Sequence, residues 1–437
     1  MEKSAMTLPP DSRFPYDPAD AEADGIELVG YHNLEGKEAF KLGLHVVNDR
    51  WYLYGGSLWH PGVSVLDVTD PSNPTLVKWL RGPENTFTFQ VQVAGGKLIN
   101  GLERPFSGYG RDTSQAGEGF DIYDLSNPIE PALLGSWSTG SEPYNGPDNP
   151  PRSASYGTHR NFYDGGRYVH ASATAAGYQG HIYRIIDIDD PARPVEVGRW
   201  WLPEQWNGMG RFHNDPFSWT FLHGPAWVEG ERAFCSYGAG GMVILDISDF
   251  ETPRLVSQLN PGPAFGSPLG VHSAVPIPDR GLVVMNTEAI AEGGSKHEPL
   301  NYAVVVDVAD ETEPRIISWL PVPEPGPGSP FKSFHDKPGR FGPHNQHHWQ
   351  HHPHLKRDDS KVYLTYFNAG LRIFDISDAY RPREIAYYIA PNPTERLGPQ
   401  PEGGLVTQCE DVLVDSRGFI YTCDKNWGIH ILRQTGG

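Results

Sequence analysis

Gly62-Val63-Ser64-Val65-Leu66-Asp67-Val68-Thr69-Asp70-Pro71-Ser72-Asn73-Pro74 decides how the rest of the chain is read, because the chain keeps returning to it. It recurs as Gly119-Phe120-Asp121-Ile122-Tyr123-Asp124-Leu125-Ser126-Asn127-Pro128 and as Ile185-Ile186-Asp187-Ile188-Asp189-Asp190-Pro191. Further copies are Gly241-Met242-Val243-Ile244-Leu245-Asp246-Ile247-Ser248-Asp249, Val304-Val305-Val306-Asp307-Val308-Ala309-Asp310 and Leu371-Arg372-Ile373-Phe374-Asp375-Ile376-Ser377-Asp378. Between the shared aspartates 67, 124, 187, 246, 307 and 375 the steps are 57, 63, 59, 61 and 68 residues, the mark of a repeat architecture.

Each copy is a Val/Ile/Leu run suited to a strand buried on both faces, closed by a turn of Asp, Ser, Asn and Pro. A second extended run follows, as in Thr75–Leu80, Ala132–Trp137, Val195–Trp200 and Arg315–Leu320. Another strand precedes it, as in Trp51–Tyr54, Arg167–His170 and Lys361–Leu364, and one more lies before that. Four antiparallel strands per unit is the content of a propeller blade. On the hydrophobic-Asp-hydrophobic-Ser/Thr-Asp-Pro phrase, from about residue 26 to 432, the chain resembles the LVIVD-repeat family of β-propellers. The resemblance implies an all-β, seven-bladed fold and leaves the chemistry open.

Residues 1–25 carry no strand pattern and read as an N-terminal tail or clasp; residues 26–437 read as one propeller domain. Ile26–Tyr31 looks like the fourth strand of a blade that lacks its first three. Cys409–Val414, Gly418–Cys423 and Gly428–Leu432 supply three strands without a fourth. The N-terminal strand is therefore expected to complete the C-terminal blade, leaving no sheet edge open at the seam. The blades fall at 37–82, 84–139, 152–203, 216–260, 268–323, 345–391, and 404–432 with 26–31. Long Gly/Pro-rich insertions at Glu103–Glu118, Gly140–Pro151, Pro203–Asp215, Ala289–Pro299, Pro321–Pro343 and Asn392–Gly404 have the length of loops that build or cover a site.

A net charge of −19 argues against nucleic acid or an anionic membrane as partner and fits a solvated acidic surface. The sequence given shows neither a basic-then-apolar leader nor an apolar run of membrane length. The expectation is a soluble, cytoplasmic protein; a removed leader would make it secreted or periplasmic. Nothing in the sequence speaks to oligomeric state. Three cysteines, Cys235, Cys409 and Cys423, are too few and too odd for a disulfide framework and are expected as buried free thiols.

The first strands carry histidines at matching points: His45 in blade one, His159 in blade three, His223 in blade four and His272 in blade five. In blade six Gln350-His351-His352-Pro353-His354 takes that place, and His352 and His354, two apart on a strand, share one face. Blades two and seven have Gln90, Gln92, Gln408 and Glu410 there. First strands line the central channel of a propeller, so these imidazoles point at one axis. The candidate metal ligands are His45, His159, His223, His272, His352 and His354, at least three of them meeting at a divalent ion: Fe(II) first, with Mn, Zn or Ca as alternatives. In the dense block from His344 to His354, His352 and His354 are favoured as inward over His347, His348 and His351, and some members of the block read as cover for the channel mouth. Asp215, Glu288 and Glu410 with Asp411 are candidate proton carriers or partners of the imidazoles, Glu410 first, against the plainer possibility of turn or surface carboxylates. Arg160, beside His159, reads as half of a structural salt bridge or as a group that binds an anionic substrate. No nucleophile elbow, phosphate loop or dinucleotide fingerprint stands in a usable context.

One histidine per blade at His45, His159, His223 and His272 is similar in logic to the carotenoid-cleavage-type oxygenases, seven-bladed propellers in which four histidines from different blades hold Fe(II) on the axis. Gln350, His352, Pro353 and His354 resemble the His-Pro-His strand of oligogalacturonate lyases, propellers with an axial divalent metal. These likenesses imply a metal-dependent enzyme acting on a small organic molecule, oxygenase-type chemistry first and β-elimination second. A non-catalytic scaffold propeller and a metal-free acid/base enzyme stay open; a scaffold needs no inward histidines.

Overall fold

The structure, a computed structural model, describes residues 14–105, 116–140, 156–206, 220–261, 269–290, 301–396 and 404–436. These residues form seven four-stranded antiparallel sheets, with only short 3-10 turns besides. The repeated phrase is the third strand of six of the seven blades. Gly62–Asp67 is buried throughout, as a strand covered by blades on both sides must be. The shared aspartate then turns the chain: its carboxylate accepts the backbone N–H two residues on, at 2.8–3.0 Å, in all six copies. These aspartates are turn formers.

The residue after the second aspartate of the phrase also joins neighbouring blades. A Cβ built on Gly30 would lie 2.0 Å from the Pro71 carbonyl oxygen, on Gly135 2.0 Å from that of Pro191, and on Gly198 1.7 Å from that of Phe250. Each glycine sits at an irregularity of the fourth strand and admits the next blade's turn. Ser257 and Ser318 fill the same place by donating to the carbonyls of Glu311 and Ala379, at 2.6 and 2.5 Å. The fourth-strand tryptophans pack locally: Trp137 stacks on Phe120, and Trp200 and Trp319 meet Tyr237 and Tyr302.

The ring closes as expected: Ile26–His32 pairs with Gly428–Gln434 and completes the blade of Cys409–Val414 and Phe419–Asp424. Part of the N-terminal segment lies on the surface of the ring. Glu22–Asp24 is a short strand on the outer edge of blade six, paired with Arg383–Ile389 and pinned by Tyr16 Oη against Tyr388 Oη at 2.7 Å. Blade six also departs at its inner edge. Gln350–His354, expected as its first strand, lies in turns; the inner edge is instead residues 344–347, with His344 N–H donating to Thr365 O and His347 N–H to Tyr363 O. Cys235, Cys409 and Cys423 are free and buried. Among the described residues no helix is long and apolar enough to cross a membrane.

Candidate metal centre

The inner strand of each blade starts where its second strand ends, so equivalent residues of successive blades stand at one height on the axis. His223 N–H donates to Ser236 O (2.8 Å), His272 N–H to Asn286 O (2.7 Å) and His344 N–H to Thr365 O (2.8 Å). Each acceptor is the last residue of a second strand: Arg232–Ser236, Leu282–Asn286 and Lys361–Thr365. His159 joins them from blade three, just after Thr158, which pairs with Ala173 near the end of Tyr168–Thr174. The four rings form an arc with centroid separations of 4.4, 4.7 and 4.8 Å.

Their Nε2 atoms converge. His159 Nε2 and His223 Nε2 are 3.2 Å apart. Glu288 Oε2 lies 3.6 Å from His223 Nε2 and 3.5 Å from His272 Nε2, and Glu288 Oε1 lies 3.7 Å from His344 Nε2. Three of the rings are steered from behind. His159 Nδ1 meets both oxygens of Glu103 at 3.0 and 3.2 Å, His272 Nδ1 meets Ser273 Oγ at 2.8 Å, and His344 Nδ1 donates to Glu410 O at 2.7 Å. A carboxylate or carbonyl acceptor keeps the proton on Nδ1 and aims the Nε2 lone pair at the axis.

Burial sets the protonation. It drops the imidazole of His159 to about 3 and holds His223, His272 and His344 well below their ordinary value, with the nearby Arg160 adding to the effect. All four are neutral donors at neutral pH. Burial pushes Glu103 up to about 8, against the pull of His181 and Arg160, and Glu410 up to about 7, against Arg340 and Lys425. Arg340 bridges the two acids near the arc, 2.9 Å from Glu288 and 3.4 Å from Glu410, and lies over the Phe367 ring.

The donor set fits a transition-metal ion. Two imidazoles bound to one ion at 2.0–2.1 Å place their nitrogens roughly 2.9–3.4 Å apart, the range of the His159–His223 separation. His272 Nε2 is fully buried, has no hydrogen-bond partner among the described residues and faces the same point. With His223 and Glu288 it forms a group whose ligating atoms lie within 4.8 Å of one another.

A cavity of about 660 Å³ adjoins the arc, with Phe40, Leu58, Phe87, Phe89, Phe221 and Ile290 on its walls and His159, His223, His344, Glu288 and Glu410 at its polar end. The long insertions after second strands and after fourth strands all leave from this face of the ring, because second and fourth strands end where inner strands begin. The other end of the channel is covered by the blade-six insertion. His348 packs on Trp227 at 4.4 Å, and His351 Nε2 donates to Val228 O at 3.1 Å. Glu229 lies within 3.6 Å of both rings; burial pushes it up, but the attraction of the adjacent His348 and His351 imidazoles outweighs this and takes it to about 2.

The LVIVD repeat model matches residues 57–80, 115–139 and 226–260, which contain three copies of the phrase. This chain is a β-propeller with LVIVD repeats. No curated protein matches its sequence significantly. Among solved structures it is similar to the β-propeller domain of Cps50 (Swd1) from Myceliophteria thermophila, at 10% identity over 92% of this chain and 98% of that one, TM-score 0.50. It is also similar to a chain in the COPII outer coat vertex on membranes, at 8% identity over 91% and 84%, TM-score 0.52. At such identities the likeness concerns the fold alone.

Of the residues singled out in the sequence, the LVIVD propeller brings together His159, His223, His272, Glu288, Glu410 and Arg160. It separates His45, His352 and His354 from them. His45 pairs with Tyr52, four residues further along its strand than Lys41, which stands opposite Gly56 at the height of the arc. Four residues of strand are on the order of 13 Å. His45 feels the charge of His354, whose ring lies against Trp51 and whose N–H donates to His352 Nδ1, so these three form a separate group towards the far end of the channel. Asp215 lies outside the described residues. His344, Glu103 and Arg340 are the site residues that sequence reasoning passed over. His344 would follow from asking which histidine faces the end of a second strand. Glu103 and Glu288 follow from the same rule one element on, each standing within two residues of the end of its second strand. Arg160 has no salt bridge among the described residues, and Asp411, beside Glu410, is held by Lys41 at 2.8 Å.

Proposed function

We propose that this propeller is a metal-dependent enzyme whose ion is held on the axis by His159, His223, His272 and His344 through Nε2, and that it acts on a small organic molecule in the adjoining cavity. The observation that carries the reading is the convergence of four neutral imidazoles from four successive blades. A nitrogen-rich set suits Fe(II), and after it Zn or Mn, better than Ca, which takes oxygen ligands. Bound there, Fe(II) would supply one-electron and dioxygen chemistry. Glu103 and the Glu410 carbonyl orient the ligand rings, the aromatic walls exclude water and seat an apolar substrate, and Arg340 holds Glu288 beside the ligand atoms. One histidine from each of four blades is the logic of the carotenoid-cleavage-type oxygenases, with His344 in the place first given to His45, and it favours oxidative cleavage. A second reading, metal-dependent β-elimination, is favoured by Glu410, whose carboxyl at about 7 is poised as a general base. Its His-Pro-His likeness lends no support, since His352 and His354 stand away from the arc.

The test is loading with Fe(II) under nitrogen, followed by oxygen-electrode and ultraviolet assays on a panel of unsaturated apolar compounds. Oxygen consumption that needs substrate and is lost in His223→Ala supports the oxygenase. A new conjugated product without oxygen uptake moves the assignment to the lyase. Neither, with metal bound, refutes both and leaves a metal-stabilised scaffold.

A further inference from the structure

Arg160 is a buried guanidinium without a hydrogen-bond or ion-pair partner among the described residues. It is 4% exposed, its Nε is wholly buried without a hydrogen bond, and none of its nitrogens meets a carboxylate among the described residues. It lies where the inner strand of blade three is irregular: Thr158 pairs with Ala173 and Arg160 with Ser172, so His159 is an extra residue. Such an insertion lets two successive side chains face the same way. Arg160 accordingly lines the cavity beside His159.

The acids around it are already engaged. Glu103 takes His159 Nδ1, Glu288 and Glu410 take Arg340, and Asp411 takes Lys41 Nζ and the Leu42 N–H. Each pairing leaves Arg160 facing the cavity with its donors unspent. Burying a guanidinium unpaired costs far more than burying one hydrogen-bonded to a counter-charge. Its planar fork matches a carboxylate bidentately.

We infer that the substrate is an apolar monocarboxylic acid, its carboxylate held by Arg160 and its hydrocarbon or aromatic body against Phe87, Phe89 and Phe221. This deepens the proposed function and rests on it for the metal that the held substrate would face. Arg160 is then the residue that fixes which end of the substrate reaches the metal.

The test is calorimetric titration of the full chain with benzoate, trans-cinnamate, 4-phenylbutyrate and decanoate, each beside its primary amide. Wild type, Arg160→Met and Arg160→Lys are compared, with melting temperature and metal content measured for all three. At least one acid is expected to bind wild type roughly thirtyfold or more tightly than its amide. Arg160→Met abolishes that preference at unchanged metal content, and Arg160→Lys restores part of it. Acid and amide binding alike, no acid in the series binding, or a preference that survives Arg160→Met each overturns the inference. If Arg160→Met fails to fold, Arg160→Lys decides: undiminished preference overturns the bidentate contact, and a fall of tenfold or more supports it. Metal and carboxylate claims fail separately. Acid preference that persists in protein that binds no metal would retain Arg160 and discard the metal centre; metal without acid preference would do the reverse.

Discussion

Replacing Glu103 with glutamine is expected to push stability and metal affinity in opposite directions. Glu103 is fully buried, and burial lifts its carboxyl from 4.5 to about 8. A carboxyl raised on folding contributes nothing below its unfolded value. Its cost appears as pH rises through 4.5 and is complete above about 8. At pH 7.5 that is three units, or about 4 kcal/mol at 1.36 kcal/mol per unit, an upper figure that relaxation reduces to about 2–4 kcal/mol. Glutamine has the same shape, keeps an oxygen for His159 Nδ1 and carries no charge. Metal-free Glu103→Gln should therefore be more stable than metal-free wild type by about 2–4 kcal/mol at pH 7.5 and by less than about 1 kcal/mol at pH 5. The same change removes the acid that orients His159, and metal affinity should fall about 10–100-fold. Urea unfolding of chelator-treated proteins at the two pH values reads the first effect, and competition with a metal-binding dye reads the second. A variant that gains no stability on going from pH 5 to 7.5 relative to wild type, or that binds metal as tightly, would refute the reasoning.

The blade contact at Gly198 gives a purely structural prediction: Gly198→Ala drives a methyl into the Phe250 carbonyl and should cost about 1–3 kcal/mol in urea unfolding, whereas Ser257→Ala, which only removes a hydrogen bond, should cost about 1 kcal/mol. Glu229 is held down, and His351 raised, by the ion pair between them at 3.4 Å. The stability difference between wild type and Glu229→Gln, about 2 kcal/mol, should therefore be fullest between roughly pH 4.5 and 6.5; it should fade as pH drops towards 2 and as it rises past the value of His351, and a flat difference from pH 3 to 9 would count against the clasp. Cys235, Cys409 and Cys423 are buried, and burial raises all three thiols. A thiol reagent should find none reactive in the native protein and all three after unfolding without reductant.

Much of the ring was legible in the sequence, because an Asp that closes a turn and a Val/Ile/Leu strand before it leave a period no packing detail can hide. The seam was legible for the same reason: a lone fourth strand and three strands without a fourth demand each other. Glu22–Asp24 was not, since three exposed residues pair through backbone alone and leave no hydrophobic alternation. Site residues divided along the same line. His159, His223 and His272 stand 13–15 residues before the end of a second strand, so counting finds them. In blade six the stretch from Trp349 to Ser360 is inserted between inner edge and second strand, so counting back lands on Gln350 to His352 when the residue in register is His344. His45 shared the right strand at the wrong depth, a difference that only pairing with Tyr52 fixes. Glu103 follows the end of a second strand as Glu288 does, yet an acid at the mouth of a long loop resembles any solvated loop acid until the fold closes over it.

The central claim is that four histidines hold one ion, and elemental mass spectrometry of the purified, untagged protein tests it most directly. Wild type, after exposure to Fe(II), Mn and Zn, is predicted to retain close to one ion per chain. His159→Ala/His272→Ala and His344→Ala should lose it while keeping their fold, and His352→Ala/His354→Ala should retain it. Wild type with no bound metal, or metal that survives His344→Ala and leaves with His352 and His354, would contradict the assignment.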